Sequence, residues 1–124
     1  MKQREPSIRV ILLPRDTNEM GTIFGGVILS YIDSAGAVEA RKHANKRFVT
    51  VAMDEVVFRK PVLVGDIVSF YTDTTRVGTT SITVKVVVDV IRRSNPKIKE
   101  VVTEAQLTFV AVDEHGKPTP ILAG

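Results

Sequence analysis

Asp33 is the residue of this chain most suited to chemistry, because a carboxylate is unusual in the middle of a helix of otherwise apolar residues. At about 100° per helical residue it shares a flank with small or apolar side chains, which could border a cleft for a ligand. These neighbours are Gly26, Leu29, Ala37 and Ala40. Two other interpretations stay open. The flank could meet solvent, or Asp33 could be a buried structural acid held by hydroxyl or amide donors.

The start of the same predicted helix is a second candidate. Gly25 and Gly26 stand where free backbone N–H groups and the positive end of the helix dipole emerge, which suits a carbonyl oxygen acquiring negative charge. A glycine pair before a helix is also common as a plain entry turn. Gly26 and Asp33 are about 10 Å apart along the helix axis, so one reacting carbonyl cannot reach both within a chain. An antiparallel helix from a two-fold partner would bring Gly26 of one chain to Asp33 of the other.

The remaining reactive side chains give weaker signals. His43 and His115 stand in charged sequence and are expected on the surface. No residues have a convincing metal-ligand spacing, so no metal is expected. Several cations near predicted strand ends could bind phosphate or simply face solvent. They are Arg59, Lys60, Arg76, Arg92, Arg93, Lys97 and Lys99.

One long helix and five strands must position these groups. Apolar residues recurring every three or four positions predict a helix over 26–44, with Val38 on its apolar face and almost all of its surface enclosed. Strict alternation predicts a strand over 81–91, and runs rich in β-branched residues predict four more. These cover residues 8–13, 48–58, 66–77 and 101–112, and the four long strands have the spacing of a meander. Turns are expected at Gly78-Thr79 and at Ser94-Asn95-Pro96.

Composition excludes several classes of protein. The 124 residues are 44% hydrophobic and 25% charged, which predicts a single globular domain over 1–124. A net charge of +3 is too small to indicate a nucleic-acid-binding protein. The chain has no cysteine, and no stretch resembles a signal peptide or a membrane span, so we expect a cytoplasmic protein. A sheet curled around one helix leaves apolar surface and open edges, which a symmetric dimer would cover.

Residues 16–68 resemble the hotdog-fold acyl-CoA thioesterases, most closely the YciA-type and cytosolic acyl-CoA hydrolases. The similarity rests on D-T-N-x-x-G-x-I-F-G-G, on the Asp seven residues after its second glycine, and on K-P-V-x-V-G-D. It continues through VGTTSITVKVVV and EAQLTFVAVDEHGKP. The resemblance implies an α+β hotdog fold, with a long central helix wrapped by a five- to six-stranded antiparallel sheet. It also implies a homodimer as the minimal unit, with active sites at its interface, and is compatible with a trimer of dimers.

The resemblance also implies roles for individual residues. Asp33 is the expected catalytic acid, Gly26 or Gly25 the amide that polarises the carbonyl, and Asn18 a polar group near substrate or water. Coenzyme A, which is part of the substrate rather than a cofactor, is expected to contact strand-end and turn residues. These are Arg59, Lys60, Arg76, Thr79, Thr80 and Ser81.

The function predicted from these residues is hydrolysis of an acyl-CoA thioester. Asp33 would deprotonate the attacking water or act as a nucleophile that forms a mixed anhydride, and the sequence does not separate the two. The alternative is a non-catalytic acyl-CoA-binding or sensing module, against which the presence of Asp33 argues. A hotdog hydratase is disfavoured because no histidine lies near the helix start.

Overall fold

A computed structural model describes residues 4–122 and contains one α-helix and five strands in these residues. The strands are β1 (Ile8–Ile11), β2 (Arg47–Phe58), β3 (Ile67–Val77), β4 (Ser81–Ile91) and β5 (Lys99–Val112), and the helix α1 (Gly25–Arg41) lies between β1 and β2. A single turn of 3₁₀ helix at Pro14–Asp16 precedes α1. The α+β class, the long helix and the five strands predicted from the sequence are confirmed.

Helix α1 is less enclosed than its sequence predicts. It buries Ile28, Ile32, Ala35, Gly36 and Ala40 against the sheet. Exposed positions recur about every four residues along the opposite side, at Gly26, Ser30, Ser34 and Val38. The placement of Val38 on the buried face is therefore wrong, since its side chain is 43% exposed. The helix also ends earlier than residue 44, because the amides of Lys42 and His43 bond to carbonyls three residues back and tighten the last turn.

All strand pairs in the sheet are antiparallel, in the order β1-β3-β4-β5-β2. The predicted meander holds for β3, β4 and β5 but is wrong for β2, which pairs with β5 instead of β3. The reason is that α1 crosses the sheet and delivers the chain to the far edge. The loop 59–66 then runs back past the helix start to β3. Both β1 and β2 are edge strands among the described residues.

The core lies between α1 and the inner face of the sheet. Alternation in β4 turns Ile82, Val84, Val86, Val88 and Val90 inward, and all five are fully buried. The ring of Tyr31 on the helix stacks on Phe70 of β3 with a centroid separation of 5.6 Å. This packing fixes the face of α1 that is turned to the sheet, and so fixes the flank on which Asp33 stands. No helix in the part of the chain described is long and apolar enough to cross a membrane.

Strand β2 is the irregular member of the sheet. Its pairing with β5 shifts between Thr50 and Ala52 and again between Asp54 and Val57, as at β-bulges. Glu55, in the second bulge, has a φ of 52°, which is rare for a residue with a side chain. Several large apolar side chains on and beside this edge are at least 40% exposed, namely Val49, Val51, Val57 and Phe58. An exposed, apolar edge strand of this kind is typical of a surface that binds another chain or a ligand.

Candidate active site

The helix start carries the two glycines predicted to polarise a carbonyl. Phe24 is the N-cap residue in extended conformation, and its side chain provides no capping hydrogen bond. Because Gly25 and Gly26 are the first two residues of α1, neither amide has a carbonyl one turn earlier within the helix. The ring of Phe24 lies over Gly26, and a Cβ added there would stand 2.6 Å from a ring carbon. Gly26 therefore allows the aromatic ring to lie close to the free amides.

A groove of about 280 Å³ opens beside Gly25. One wall is the loop after β2, with Arg59 and Lys60, and the other is the first turn of α1. Thr103 of β5 also lines it, and its buried hydroxyl has no hydrogen-bond partner in the part of the chain that the structure describes. The structure thus brings a predicted oxyanion group, Gly25, together with two predicted CoA-binding cations. The volume is large enough for a small organic group.

Both cations on the rim are paired with carboxylates. Arg59 Nε donates to Glu104 Oε2 at 2.6 Å, and Lys60 Nζ donates to Glu100 Oε1 at 2.6 Å. The hydrogen bond from Arg59 holds the pKa of Glu104 below its usual value. Both cations are more than half exposed at the side chain, so these ion pairs are weak and open to competition from a phosphate.

The polar atoms of Asn18 organise the loop before the helix. Its Oδ1 accepts hydrogen bonds from the amides of Met20 and Thr22, and its Nδ2 donates to Thr22 Oγ1 at 2.9 Å. These contacts close a compact turn over 18–22, and Gly21 within it has a positive φ of 84° that favours glycine. Asn18 therefore fixes the conformation of the loop that leads into α1. Its side chain is half-buried in the loop before α1, and its predicted role near substrate or water stays a prediction.

A buried ion pair lies behind the groove. Arg92 Nη1 donates to Asp66 Oδ2 and to the carbonyl of Pro61, both at 2.8 Å, and Arg92 Nε donates to Glu100 Oε2 at 2.9 Å. Asp66 is 1% exposed and also accepts the amides of Leu63 and Arg93. Burial opposes the charged form of Arg92, but its bonds to Asp66 and Glu100 outweigh this and raise its pKa. Arg92 is thus a buried structural cation. The prediction that it could bind phosphate or face solvent, like the other strand-end cations, is wrong for this residue.

Asp33 stands away from this groove, at the half-buried side of α1 that faces β2. Its Oδ1 accepts a hydrogen bond from Thr50 Oγ1 at 2.5 Å, next to the first bulge of β2. Of the residues predicted to share its flank, Ala40 is fully buried in the core and cannot border a cleft. Leu29 and Ala37 are half-buried beside it. A carboxylate held by one hydroxyl at an open edge can accept a proton from a water or attack a carbonyl directly.

The other predicted CoA contacts lie at the opposite end of the molecule. Thr79 and Thr80 form the turn between β3 and β4, Ser81 begins β4, and Arg76 is exposed near the end of β3. A second groove, of about 410 Å³, lies there against Pro120 and Leu122. Within one chain the predicted site residues therefore form three groups: the helix start with its groove, Asp33 with Thr50, and the β3–β4 turn.

Comparison with known proteins decides the family. Residues 20–97 match the model of the thioesterase superfamily. The chain belongs to that superfamily. The acyl-CoA thioester hydrolase YciA of Escherichia coli is 40% identical over 113 residues, covering 90% of this chain and 86% of the relative.

Two solved structures share the fold of this thioesterase. A hexameric hotdog-fold thioesterase of Campylobacter jejuni is 45% identical, with a TM-score of 0.89 over 96% of this chain and 91% of the other. An acyl-CoA hydrolase of Staphylococcus aureus is 35% identical, with a TM-score of 0.83 over 92% of this chain and 69% of the other. The latter was solved in complex with butyryl coenzyme A, coenzyme A and coenzyme A disulfide. Its solved forms include an Asn-to-Ala and a Thr-to-Ala variant. The hotdog fold predicted from the sequence is confirmed.

Sequence reasoning missed two parts of the site. Thr50 is one of many threonines in β-rich sequence, and its contact with Asp33 depends on the long-range placement of β2 along the helix. Asp66 belongs to the K-P-V-x-V-G-D motif but was not predicted as a site residue, and Arg92 was predicted only as a strand-end cation. The signal available for Asp66 was an acid following an apolar run and a glycine, which is typical of a carboxylate that caps its own loop.

Proposed function

We propose that this thioesterase hydrolyses acyl-CoA to a carboxylate and free coenzyme A. The proposal rests on two groups that helix α1 carries. Free backbone amides lie at its start, beside the groove, and the carboxylate of Asp33 lies two turns later, at the exposed edge of the sheet. The first group suits the oxygen of a thioester carbonyl and the second suits its attacking water. The relatives' names as acyl-CoA thioester hydrolases support this substrate class.

The reaction proposed for these groups balances without a cofactor or a metal. Asp33 takes a proton from water, whose oxygen bonds to the thioester carbon, while the amides of Gly25 and Gly26 stabilise the negative charge on the carbonyl oxygen. Collapse of the tetrahedral intermediate breaks the carbon–sulfur bond, and the proton passes to the departing thiolate. General-base catalysis of this kind contributes about 10²- to 10⁴-fold. In the alternative, a carboxylate oxygen of Asp33 attacks the carbonyl carbon, the carbon–sulfur bond breaks with release of the coenzyme A thiolate, which takes a proton from water, and water then hydrolyses the mixed anhydride.

Thr50 is proposed to orient Asp33. Its hydroxyl donates to one carboxylate oxygen, which leaves the other oxygen of Asp33 available to water. The variants of the Staphylococcus aureus hydrolase support including Thr50 in the site. The asparagine and the threonine replaced by alanine in its variants have the same separation along the chain as Asn18 and Thr50 have here.

The complete site is proposed to form between two chains. Asp33 and the helix start are about 10 Å apart on one helix axis, and the exposed apolar edge at β2 lies next to Asp33. An antiparallel partner at that edge would set Asp33 of one chain against Gly25 and Gly26 of the other. It would also bring the distant β3–β4 turn of one chain towards the groove of its partner. The hexameric assembly of the Campylobacter jejuni thioesterase supports a homo-oligomer, which we propose is a trimer of dimers.

The coenzyme A part of the substrate is proposed to contact Arg59, Lys60 and Arg76 through its phosphates, and the segment Thr79–Ser81 along its pantetheine arm. Nothing in the charge of +3 favours nucleic acid as a partner. We further propose that the protein works in the cytoplasm, where acyl-CoA thioesters of lipid metabolism are available, and that it does not bind membranes.

The test is release of free thiol from a panel of short, long and aromatic acyl-CoAs, followed with a thiol-reactive dye. Turnover of any of them supports the proposal, and tight binding of acyl-CoA without thiol release would indicate a binding or sensing module instead. Single turnover in ¹⁸O-labelled water then separates the two mechanisms. Label in the Asp33 carboxylate identifies the nucleophile, because a general base never bonds to the solvent oxygen. Where the label is found only in the product acid, the absence of an acyl adduct on Asp33 after rapid quenching supports the general base.

A further inference from the structure

The buried ion pair of Asp66 and Arg92 is connected to the start of α1 by a short chain of hydrogen bonds. Arg92 binds the carbonyl of Pro61, and Asp66 binds the amide of Leu63, so the two side chains hold both ends of the segment Pro61–Leu63. The middle of that segment holds the helix start in turn, because the carbonyl of Val62 accepts the amide of Ile23 at 2.8 Å. Gly25 follows two residues later.

The same network also fixes the groove wall. Glu100, which accepts a hydrogen bond from Arg92, also accepts one from Lys60 on the rim. Pro61 and Val62 line the groove opposite Gly25. Each carboxylate oxygen of Asp66 and Glu100 has a partner, so the network is fully satisfied on its acceptor side. Buried networks of this kind fix one arrangement of the groups that they join.

We propose that Arg92 is a positioning residue for thioester hydrolysis, which acts with Asp66 by holding Pro61–Leu63 and, through Ile23, the amides of Gly25 and Gly26. The proposal rests on the acyl-CoA hydrolysis proposed above. Oxyanion stabilisation requires amides fixed in advance at the position of the developing charge. Only a guanidinium has the fork of donors that reaches Pro61, Asp66 and Glu100 together.

The test compares Arg92→Lys with a matched control, Glu39→Gln. Lysine keeps the charge beside Asp66 but cannot make all three contacts of the guanidinium. Glu39 forms a similar polar cluster at the other end of α1, where it accepts hydrogen bonds from Thr72, Thr74 and Lys42. The control therefore loosens the same helix far from the groove. Both variants are assayed as the purified assembly, below the melting temperature of each.

Two measurements are made on each protein. Amide hydrogen exchange, followed by mass spectrometry on peptides covering 21–28, reports the Ile23 bond without reference to activity. Arg92→Lys should accelerate this exchange about tenfold or more and lower kcat on a short acyl-CoA about tenfold, with KM changed less than twofold, since the lost interaction acts in the transition state. Glu39→Gln should change neither the exchange of 21–28 nor kcat by more than twofold.

Unchanged exchange over 21–28, or a kcat within twofold of the unaltered protein, would overturn the proposal. If Arg92→Lys does not fold, Asp66→Asn is measured in its place with the same expectations. An unaltered protein that releases no thiol from any acyl-CoA would instead refute the proposed function and the positioning role with it. Faster exchange in Arg92→Lys would then still show that the ion pair holds the helix start.

Discussion

The start of α1 and Asp33, the two parts of the proposed active site, differ in how many contacts within a single chain hold them in place. The helix start is held from several sides by Asn18, by the carbonyl of Val62 and, behind these, by the buried pair of Asp66 and Arg92. Asp33 is held by one hydroxyl, that of Thr50, on an irregular edge strand with exposed apolar side chains. The amides proposed to bind the carbonyl oxygen are therefore held by contacts within each chain, whereas Asp33, the proposed base, lies at an exposed edge of the sheet.

This difference has a physical reason. Backbone amides must be aimed accurately, and a buried, fully hydrogen-bonded network supplies rigidity that a surface loop lacks. A carboxylate that removes a proton from water needs access to that water and to a carbonyl supplied from elsewhere. In the proposed dimer a partner chain covers this edge, and the site is complete only after assembly. Substitutions at Asp33 and at the start of α1 should therefore differ in their effects on kcat and on stability.

The largest fall in kcat is expected from a substitution of Asp33. Asp33→Asn is nearly isosteric but a far weaker base, so kcat should fall at least about 100-fold while acyl-CoA binding and the melting temperature stay close to those of the unaltered protein. Thiol release, isothermal titration with a non-hydrolysable acyl-CoA and calorimetry measure the three quantities. Near-normal turnover would mean that Asp33 is a structural acid.

A smaller loss in kcat is expected from Thr50→Val, which removes the one side-chain hydrogen bond that Asp33 accepts from residues 4–122. Bonds to charged groups contribute about 1.5–3 kcal/mol, and partial replacement by water should limit the fall in kcat to about tenfold. Thr75→Val is the matched control, since Thr75 is an exposed strand residue whose hydroxyl donates to the carbonyl of Thr83, away from Asp33. If the two substitutions change kcat equally, Thr50 has no specific role in the reaction.

At the helix start, Gly26→Ala should separate activity from stability. The new Cβ would meet the Phe24 ring at 2.6 Å, and this exposed ring can move at little cost to folding. Alanine also favours helix, so stability should stay level or rise slightly. We expect kcat to fall about fivefold, because the displaced ring disturbs the neighbouring amides. The double substitution Gly26→Ala with Phe24→Ala should regain most of this loss, and a double variant as slow as the single one would contradict the steric explanation.

The smallest effect is expected among the surface cations. Arg76 forms no ion pair with any residue of 4–122, so its charge is available to a phosphate. Arg76→Gln should raise KM for an acyl-CoA about two- to threefold with kcat nearly unchanged, and the difference should shrink as salt rises. A truncated acyl-N-acetylcysteamine substrate is the control and should show no change. Equal kcat/KM for the CoA and truncated substrates at low salt would show that the nucleotide is not recognised.

The sequence was informative where a pattern is local and periodic. Alternation identified β4, and the spacing of apolar residues identified α1 and placed Asp33 on it. What it missed depends on long-range contacts. The pairing of β2 with β5, the contact of Thr50 with Asp33, and the burial of Arg92 by Asp66 and Pro61 all join segments far apart in the chain. Arg92 shows this most clearly, because nothing in its neighbourhood distinguishes a buried cation from the exposed Arg93 next to it.

The most direct test of a site shared between chains is complementation between two inactive variants. Asp33→Asn chains lack the base, and Gly26→Pro chains lack one amide at a helix position where proline is tolerated. Co-expressed at equal levels, they form mixed dimers in which one of the two sites combines the intact Asp33 of one chain with the intact Gly26 of the other. Our account predicts that the mixture recovers about a quarter of the unaltered activity per site, although each variant alone is nearly inactive. No recovery despite demonstrated mixed dimers, or full activity in a monomer, would contradict it.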